Sequence, residues 1–207
     1  MDAEQIVLAA ARLTRQQGLE AWTMRQLADE LECSPAVIYH HVGGREAVVR
    51  AVVDHVVGTL SSVYASAQWR EWFSAVLMEM RVVFRRHPGV AGWLIAHGPA
   101  LPAMLRILDK GVALLRREGL RLEESEACSV LIDVALSRLA AEELRDDDDL
   151  RHEIDHALTR YRGSTERRGL VAVAGLLGHS RTQEYYRYTV ECALDGVAMR
   201  ITEKQNG

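Results

Sequence analysis

The chain has 207 residues, 48% of them apolar, with four prolines and a net charge of −4. This is enough chain for one or two domains with a real core. It is too apolar for a disordered tail, and nothing in the bulk charge announces nucleic acid. Cys33, Cys128 and Cys192 lie far apart without CxxC spacing. They predict buried thiols in a reducing compartment and exclude a disulfide framework. The acidic start Met1-Asp2-Ala3-Glu4 is unlike a signal peptide, and the low-polarity stretch from Gly169 to Gly178 is too short to span a bilayer. A soluble, cytoplasmic protein that does not engage the membrane is expected.

In chain order, nearly every segment carries a helical period, so the expected fold class is all-α. Asp2 is placed to cap a helix with Ile6, Ala9, Ala10 and Leu13 on one face, which stops at Gly18. Val48, Val49, Val52, Val53, Val56 and Val57 are β-prone by type. They fall in adjacent pairs four apart, however, which is one stripe of a helix. Trp72, Val76, Leu77, Met80, Val83 and Phe84 predict a helix ending near His87-Pro88-Gly89. Further helices are expected over about 102–117, 124–144 and 182–201, while 146–181, which opens on four aspartates, reads least clearly. The boundary between an N-terminal unit (1–50) and a larger helical unit (51–207) is expected inside the helix after Gly44, not in a linker.

The informative segment runs from Thr23 to Val42. Thr23 and Gln26 have capping-box spacing, so a helix should start at Met24, with Leu27, Ala28 and Leu31 facing inward. Ser34-Pro35 is a second start signal, a hydroxyl N-cap followed by proline at the first helical position. Two short helices joined by a tight turn form a helix-turn-helix. Glu32 stands at the turn, where a left-handed conformation would cost a non-glycine residue on the order of 1 kcal/mol. The outward side of the second helix, Ala36, Val37, Tyr39 and His40, carries no acid, unlike an ordinary solvated face.

From about Ile6 to Val57 the chain resembles the tetracycline-repressor (TetR) family. The residues that carry the likeness are Gly18-Leu19-Glu20-Ala21-Trp22-Thr23-Met24-Arg25, Leu27-Ala28, Ser34 to Val42, and Arg45-Glu46-Ala47-Val48-Val49. Weaker likeness lies in Trp69-Arg70-Glu71-Trp72, Arg86-His87-Pro88, His97 to Pro102, and the last helix. The resemblance implies a three-helix DNA-binding domain followed by a helical ligand-binding and dimerisation domain. It also implies a homodimer that holds double-stranded, palindromic operator DNA and releases it when a small-molecule effector binds.

By the same resemblance, Arg25 reaches a guanine edge, and Pro35, Ala36 and Val37 begin the base-facing helix. Tyr39, His41 and Arg45 match phosphate-contacting positions. With Thr23, Ser34 and His40 these make up the expected DNA-facing set. The electrostatics run against habit: residues 1–54 hold five Lys or Arg against eight Asp or Glu, whereas most nucleic-acid-binding domains are basic. Arg25, Arg45, Arg50 and two histidines are left to make a local positive face.

The effector pocket is expected between the helix from Trp69 and that from Pro102, with Met80, Phe84, Trp93, His97, Met104 and Leu108 as candidate walls. His97, five residues before Pro102, matches a ligand-binding histidine of the family. No cofactor or metal is expected. The dimer is expected from the 124–144 helix and the last helix, whose Tyr185, Tyr188, Cys192, Gly196 and Met199 share a stripe. One motif points elsewhere: His152-Glu153-Ile154-Asp155-His156 is a formal HExxH, which in zinc peptidases puts two histidines and a catalytic glutamate on one helix. Its flanks of aspartates and arginines read as a solvated face, so a zinc hydrolase is the alternative and not an enzyme is the expectation.

Overall fold

A computed structural model describes residues 1–61, 68–120, 122–144, 152, 156, 159 and 183–206. Its elements among these residues are helices: α1 (Ala3–Gln17), α2 (Met24–Glu30), α3 (Pro35–His41), α4 (Arg45–Gly58), α5 (Trp69–Phe84), α6 (Val90–His97), α7 (Pro102–Arg117), α8 (Glu124–Leu144) and α9 (Gln183–Asn206). The all-α expectation is met. Asp2 caps α1 through a reciprocal box with Gln5, and Gly18 ends it at φ 91°. The paired valines of α4 are all buried, as the stripe predicts.

The element the sequence did not announce is α6. Its residues, Val-Ala-Gly-Trp-Leu-Ile-Ala-His, are almost uniformly apolar, so no period can be read from them. Its limits are glycines at positive φ, Gly89 at 93° and Gly98 at 76°. The last helix also extends to Asn206, beyond the expected Ile201. Most of 146–181 lies outside the described residues.

One continuous apolar core runs from Ile6 of α1 to Ile201 of α9. Helix α4 packs on α1 and on α7, and α8 packs on α6, α7 and α9. Asp54 of α4 accepts the Ala103 N–H at 2.7 Å, satisfying an orphan donor in the first turn of α7. Glu142 of α8 is 1% exposed and pairs with Arg85 at 3.1 Å, Arg81 at 3.3 Å and Arg138 at 3.6 Å. Beside it the buried Tyr186 hydroxyl of α9 donates to the Leu77 carbonyl at 2.7 Å. Three helices are thus joined around one carboxylate, and removing it would strand buried arginine charge.

The turn between α5 and α6 meets the turn after α1. The Leu19 N–H donates to the Pro88 carbonyl at 2.8 Å. A Cβ at Gly89 would stand 2.9 Å from Leu19 Cβ, so this contact requires glycine for space as well as for φ. The Gly89 N–H donates to Glu143 of α8 at 3.0 Å.

The thiols correct the expectation that all three are buried. Cys128 is buried, and burial pushes its thiol up to about 12. Cys33 is half-buried and Cys192 is exposed, because Cys192 falls on the outward stripe of α9.

Half-buried His87 adjoins Pro88, its Nδ1–H donating to Val83 at 2.8 Å. Burial lowers its pKa below the usual imidazole range; Arg15, His55 and Arg86 add repulsion, and the Val83 bond opposes them. The folded state therefore binds this proton more weakly than the unfolded chain, and stability falls as pH drops through the unfolded value. Thermal denaturation at about pH 7.5 and about pH 5.5 should show a smaller acid loss for His87→Gln than for the wild type. Equal losses would remove His87 from the acid response.

Candidate nucleic-acid interface and effector site

Helix α2 begins as its residues require. Thr23 Oγ1 accepts the Gln26 N–H at 3.2 Å, and Gln26 Oε1 accepts the Thr23 N–H at 2.8 Å. Leu27 and Ala28 bury its inner face, and Arg12 of α1 pairs with Glu30 at 3.2 Å. The chain then turns through Glu32 at φ 50°, the left-handed conformation expected there. The Cys33 N–H donates to the Ala28 carbonyl at 2.9 Å, closing the turn.

Helix α3 starts at Pro35 but differs in its cap. Ser34 has the extended backbone of an N-cap, yet its side chain makes no capping hydrogen bond. The amide at the third position, Val37 N–H, donates to the Ser34 carbonyl at 3.0 Å instead. Ile38 is buried and fixes α3 to the core, and this leaves Pro35, Ala36, Tyr39, His40 and His41 exposed with Val37 half-buried. Arg25 is exposed at the start of α2. The helix-turn-helix thus presents one guanidinium, two imidazoles, a phenol and small apolar groups.

Two arginines expected on that positive face are bonded to backbone carbonyls of their own chain. Arg50 donates to the Ala100 carbonyl at 2.7 Å in the α6–α7 turn. Arg45 donates to the carbonyls of Leu19 and Glu20 at 3.1 Å each and of Trp22 at 3.4 Å. It also lies over the Trp22 ring at 5.0 Å. Both are satisfied inside the protein, a use the sequence could not show because their partners are backbone carbonyls in loops far along the chain.

The candidate effector residues divide into two groups. Met80, Phe84 and Met104 are fully buried in the core, and Leu108 packs against it half-buried. His97 is exposed and stacks on Trp93, ring centres 4.4 Å apart and planes 10° apart. Its Nδ1–H donates to the Trp93 carbonyl at 3.0 Å. Trp93 and His97 line a groove of about 530 Å³ with Gly92, Ala140 and Glu143, and an adjoining one of about 450 Å³ with Glu20 and Arg45. Thus His97 lies where α6 and α8 meet the α1–α2 turn, on a different wall from the methionines.

Of the HExxH segment, His152 and His156 are described and both are exposed; the residues between them lie outside the described set. No described helix is long and apolar enough to cross a membrane.

Helices α2 and α3 thus form a helix-turn-helix whose second helix has an acid-free outward face, and it shares a core with a larger set of helices. Residues 6–52 match the family described as bacterial regulatory proteins, tetR family. Over that segment, about a quarter of its length, the chain is similar to the TetR family of transcriptional regulators. It is 33% identical over 89 residues to an HTH-type transcriptional regulator of Saccharopolyspora erythraea, covering 42% of this chain and 38% of that protein. It is 26% identical over 136 residues to the HTH-type transcriptional repressor DrrR1 of Streptomyces coeruleorubidus, covering 63% and 49% respectively. The matches therefore span less than half of either relative. The fold is similar to apo ActR from Streptomyces coelicolor, with TM-score 0.74, 24% identity and coverage of 98% and 97%. It is also similar to a TetR variant from Acinetobacter baumannii in complex with minocycline, with TM-score 0.71, 14% identity and coverage of 97% and 98%.

The two N-caps make unequal contributions. Thr23→Ala should lower the stability to denaturant by about 1 kcal/mol, the usual cost of a lost capping oxygen. Ser34→Ala should change it by no more than a few tenths (about 0.3 kcal/mol), the usual range for a surface change that removes no bond. Equal losses in urea titrations would contradict this assignment of the caps.

Proposed function

We propose that the chain is a ligand-responsive transcriptional repressor, bound to a palindromic operator as a homodimer and released by a small-molecule effector. The observation that carries this reading is the outward face of α3, exposed and free of acids, beside an exposed Arg25. In this reading Arg25 bonds a guanine edge, and Pro35, Ala36 and Val37 approach base edges and thymine methyls. Tyr39, His40 and His41 meet phosphates, with Thr23 and Ser34 at the helix starts. The protein acts in the cytoplasm, and its reading unit ends near residue 50, within α4.

The dimer in this proposal forms through α8 and α9. Val130 is 51% exposed, Tyr188 67% and Met199 65%, and with Cys192 they give these helices apolar outward groups in the single chain. A Cβ at Gly196 would meet nothing within 4 Å in its own chain, so the room that this costly helix glycine leaves suits a partner's helix. Two recognition helices must stand about 34–36 Å apart to meet successive major grooves.

Arg25→Ala and Tyr39→Ala should each abolish specific gel shifts of the promoter upstream of its own gene while leaving a folded dimer. One base contact contributes about 1–3 kcal/mol, and a dimer loses it twice. Unchanged affinity in both variants would end the helix-turn-helix assignment.

The effector in this proposal is an apolar, drug-sized molecule in the groove lined by Trp93 and His97, with His97 as its polar handle. Reaching Met80, Phe84, Met104 and Leu108 would require the core to open. One similar structure is ActR in complex with actinorhodin, with TM-score 0.74 and 24% identity, which supplies a first probe. Actinorhodin titrated into a labelled operator complex should release wild-type protein at lower concentration than His97→Ala, with ligand-free DNA affinity equal. Release curves that coincide would take His97 out of the effector site.

A further inference from the structure

We infer that Arg45 is a positioning residue for the operator-reading end of α2 and not a phosphate contact, an inference that rests on the DNA-binding reading above. After α1 stops at Gly18, residues 19–22 run without helical hydrogen bonding, and their carbonyls need donors from elsewhere. One nitrogen of Arg45, Nη2, faces three of them, Leu19 and Glu20 at 3.1 Å each and Trp22 at 3.4 Å, its two protons shared among the three. The other, Nη1, pairs with the Glu20 carboxylate at 3.6 Å. The plane of the fork covers the Trp22 ring at 5.0 Å.

Trp22 is itself fixed. Its indole N–H donates to Thr14 Oγ1 at 2.9 Å, and that hydroxyl donates to the Ala10 carbonyl at 2.9 Å. The next residue is the cap of α2, and Arg25 follows two residues later. Arg45 of α4 therefore holds the last anchored point before the helix that carries the base-reading guanidinium. To reach a phosphate it would have to leave three carbonyls, a carboxylate and an aromatic face. Lysine cannot replace it, because an ammonium has no plane to lay on Trp22 and no second nitrogen for Glu20.

The test uses the full-length protein, the promoter fragment upstream of its own gene and a scrambled duplex of the same length. Anisotropy titrations over a salt series compare wild type, Arg45→Lys and Arg45→Ala. Arg45→Lys should bind the promoter about tenfold more weakly, the size of one misplaced base contact. Its affinity for the scrambled duplex and its salt slope should match the wild type, because no phosphate contact is lost. Combined with Arg25→Ala, the two losses should not add, since the first acts through the second. In DNA-free protein, Arg45→Lys should speed amide exchange over residues 19–26, a readout that survives if Arg45→Ala fails to fold.

Two results would overturn the inference. One is full rescue by Arg45→Lys with a salt slope lowered by about one per half-site in Arg45→Ala, which marks a phosphate contact. The other is unchanged exchange over 19–26 in Arg45→Lys. A wild-type protein that does not distinguish promoter from scrambled duplex would instead sink the DNA-binding reading, leaving the exchange result to judge the clamp.

Discussion

The hydrogen bond from the Leu19 amide to the Pro88 carbonyl is the contact on which the arrangement of this molecule turns. It joins the turn that feeds α2 to the turn that feeds α6, and it forms only because residue 89 has no side chain. Glu143 of α8 holds the Gly89 amide on one side, and Arg45 of α4 holds the Leu19 carbonyl on the other. A displacement of α6 therefore has to be followed by residues 19–22 or break bonds to them. Closely packed turns of this kind switch between discrete arrangements more readily than they bend. Trp93 and His97 lie in α6 itself, one and two turns from this junction.

The helices after α4 have a second fixed centre. Glu142 gathers Arg81, Arg85 and Arg138, and Tyr186 adds a bond from α9 to α5. Buried ionic groups of this sort contribute little net stability but penalise any packing that separates them. They hold α5, α8 and α9 in register, leaving α6 with its two glycine ends as the element with fewer polar ties.

Much of this was legible in the residues. Capping chemistry placed the starts of α1 and α2, because a cap is a local bond between residues three apart; Pro35 marked the start of α3, and the valine pairs of α4 declared a buried stripe. The expected Ser34 cap bond is absent, and the Val37 amide it would have met goes to the Ser34 carbonyl instead. Helix α6 was illegible because a segment apolar on every side has no period. Arg45 and Arg50, expected on a positive face, meet carbonyls 23 to 50 positions away, in the loop after α1 and in the α6–α7 turn, and sequence shows the charge without those partners. Among the effector residues, spacing marked Met80, Phe84 and Met104 as apolar and inward without telling core from cavity wall.

The internal use of Arg45 and Arg50 has a consequence for how the protein is distributed on a chromosome. A reading unit with eight acids against five bases, two of those bases engaged inside the fold, has little charge to attract an arbitrary stretch of duplex. Most regulators spend their idle time on such stretches, which act as a large reservoir that lowers the free concentration. Here the reservoir is shallow. If the chain reads an operator as proposed, its occupancy would follow copy number closely.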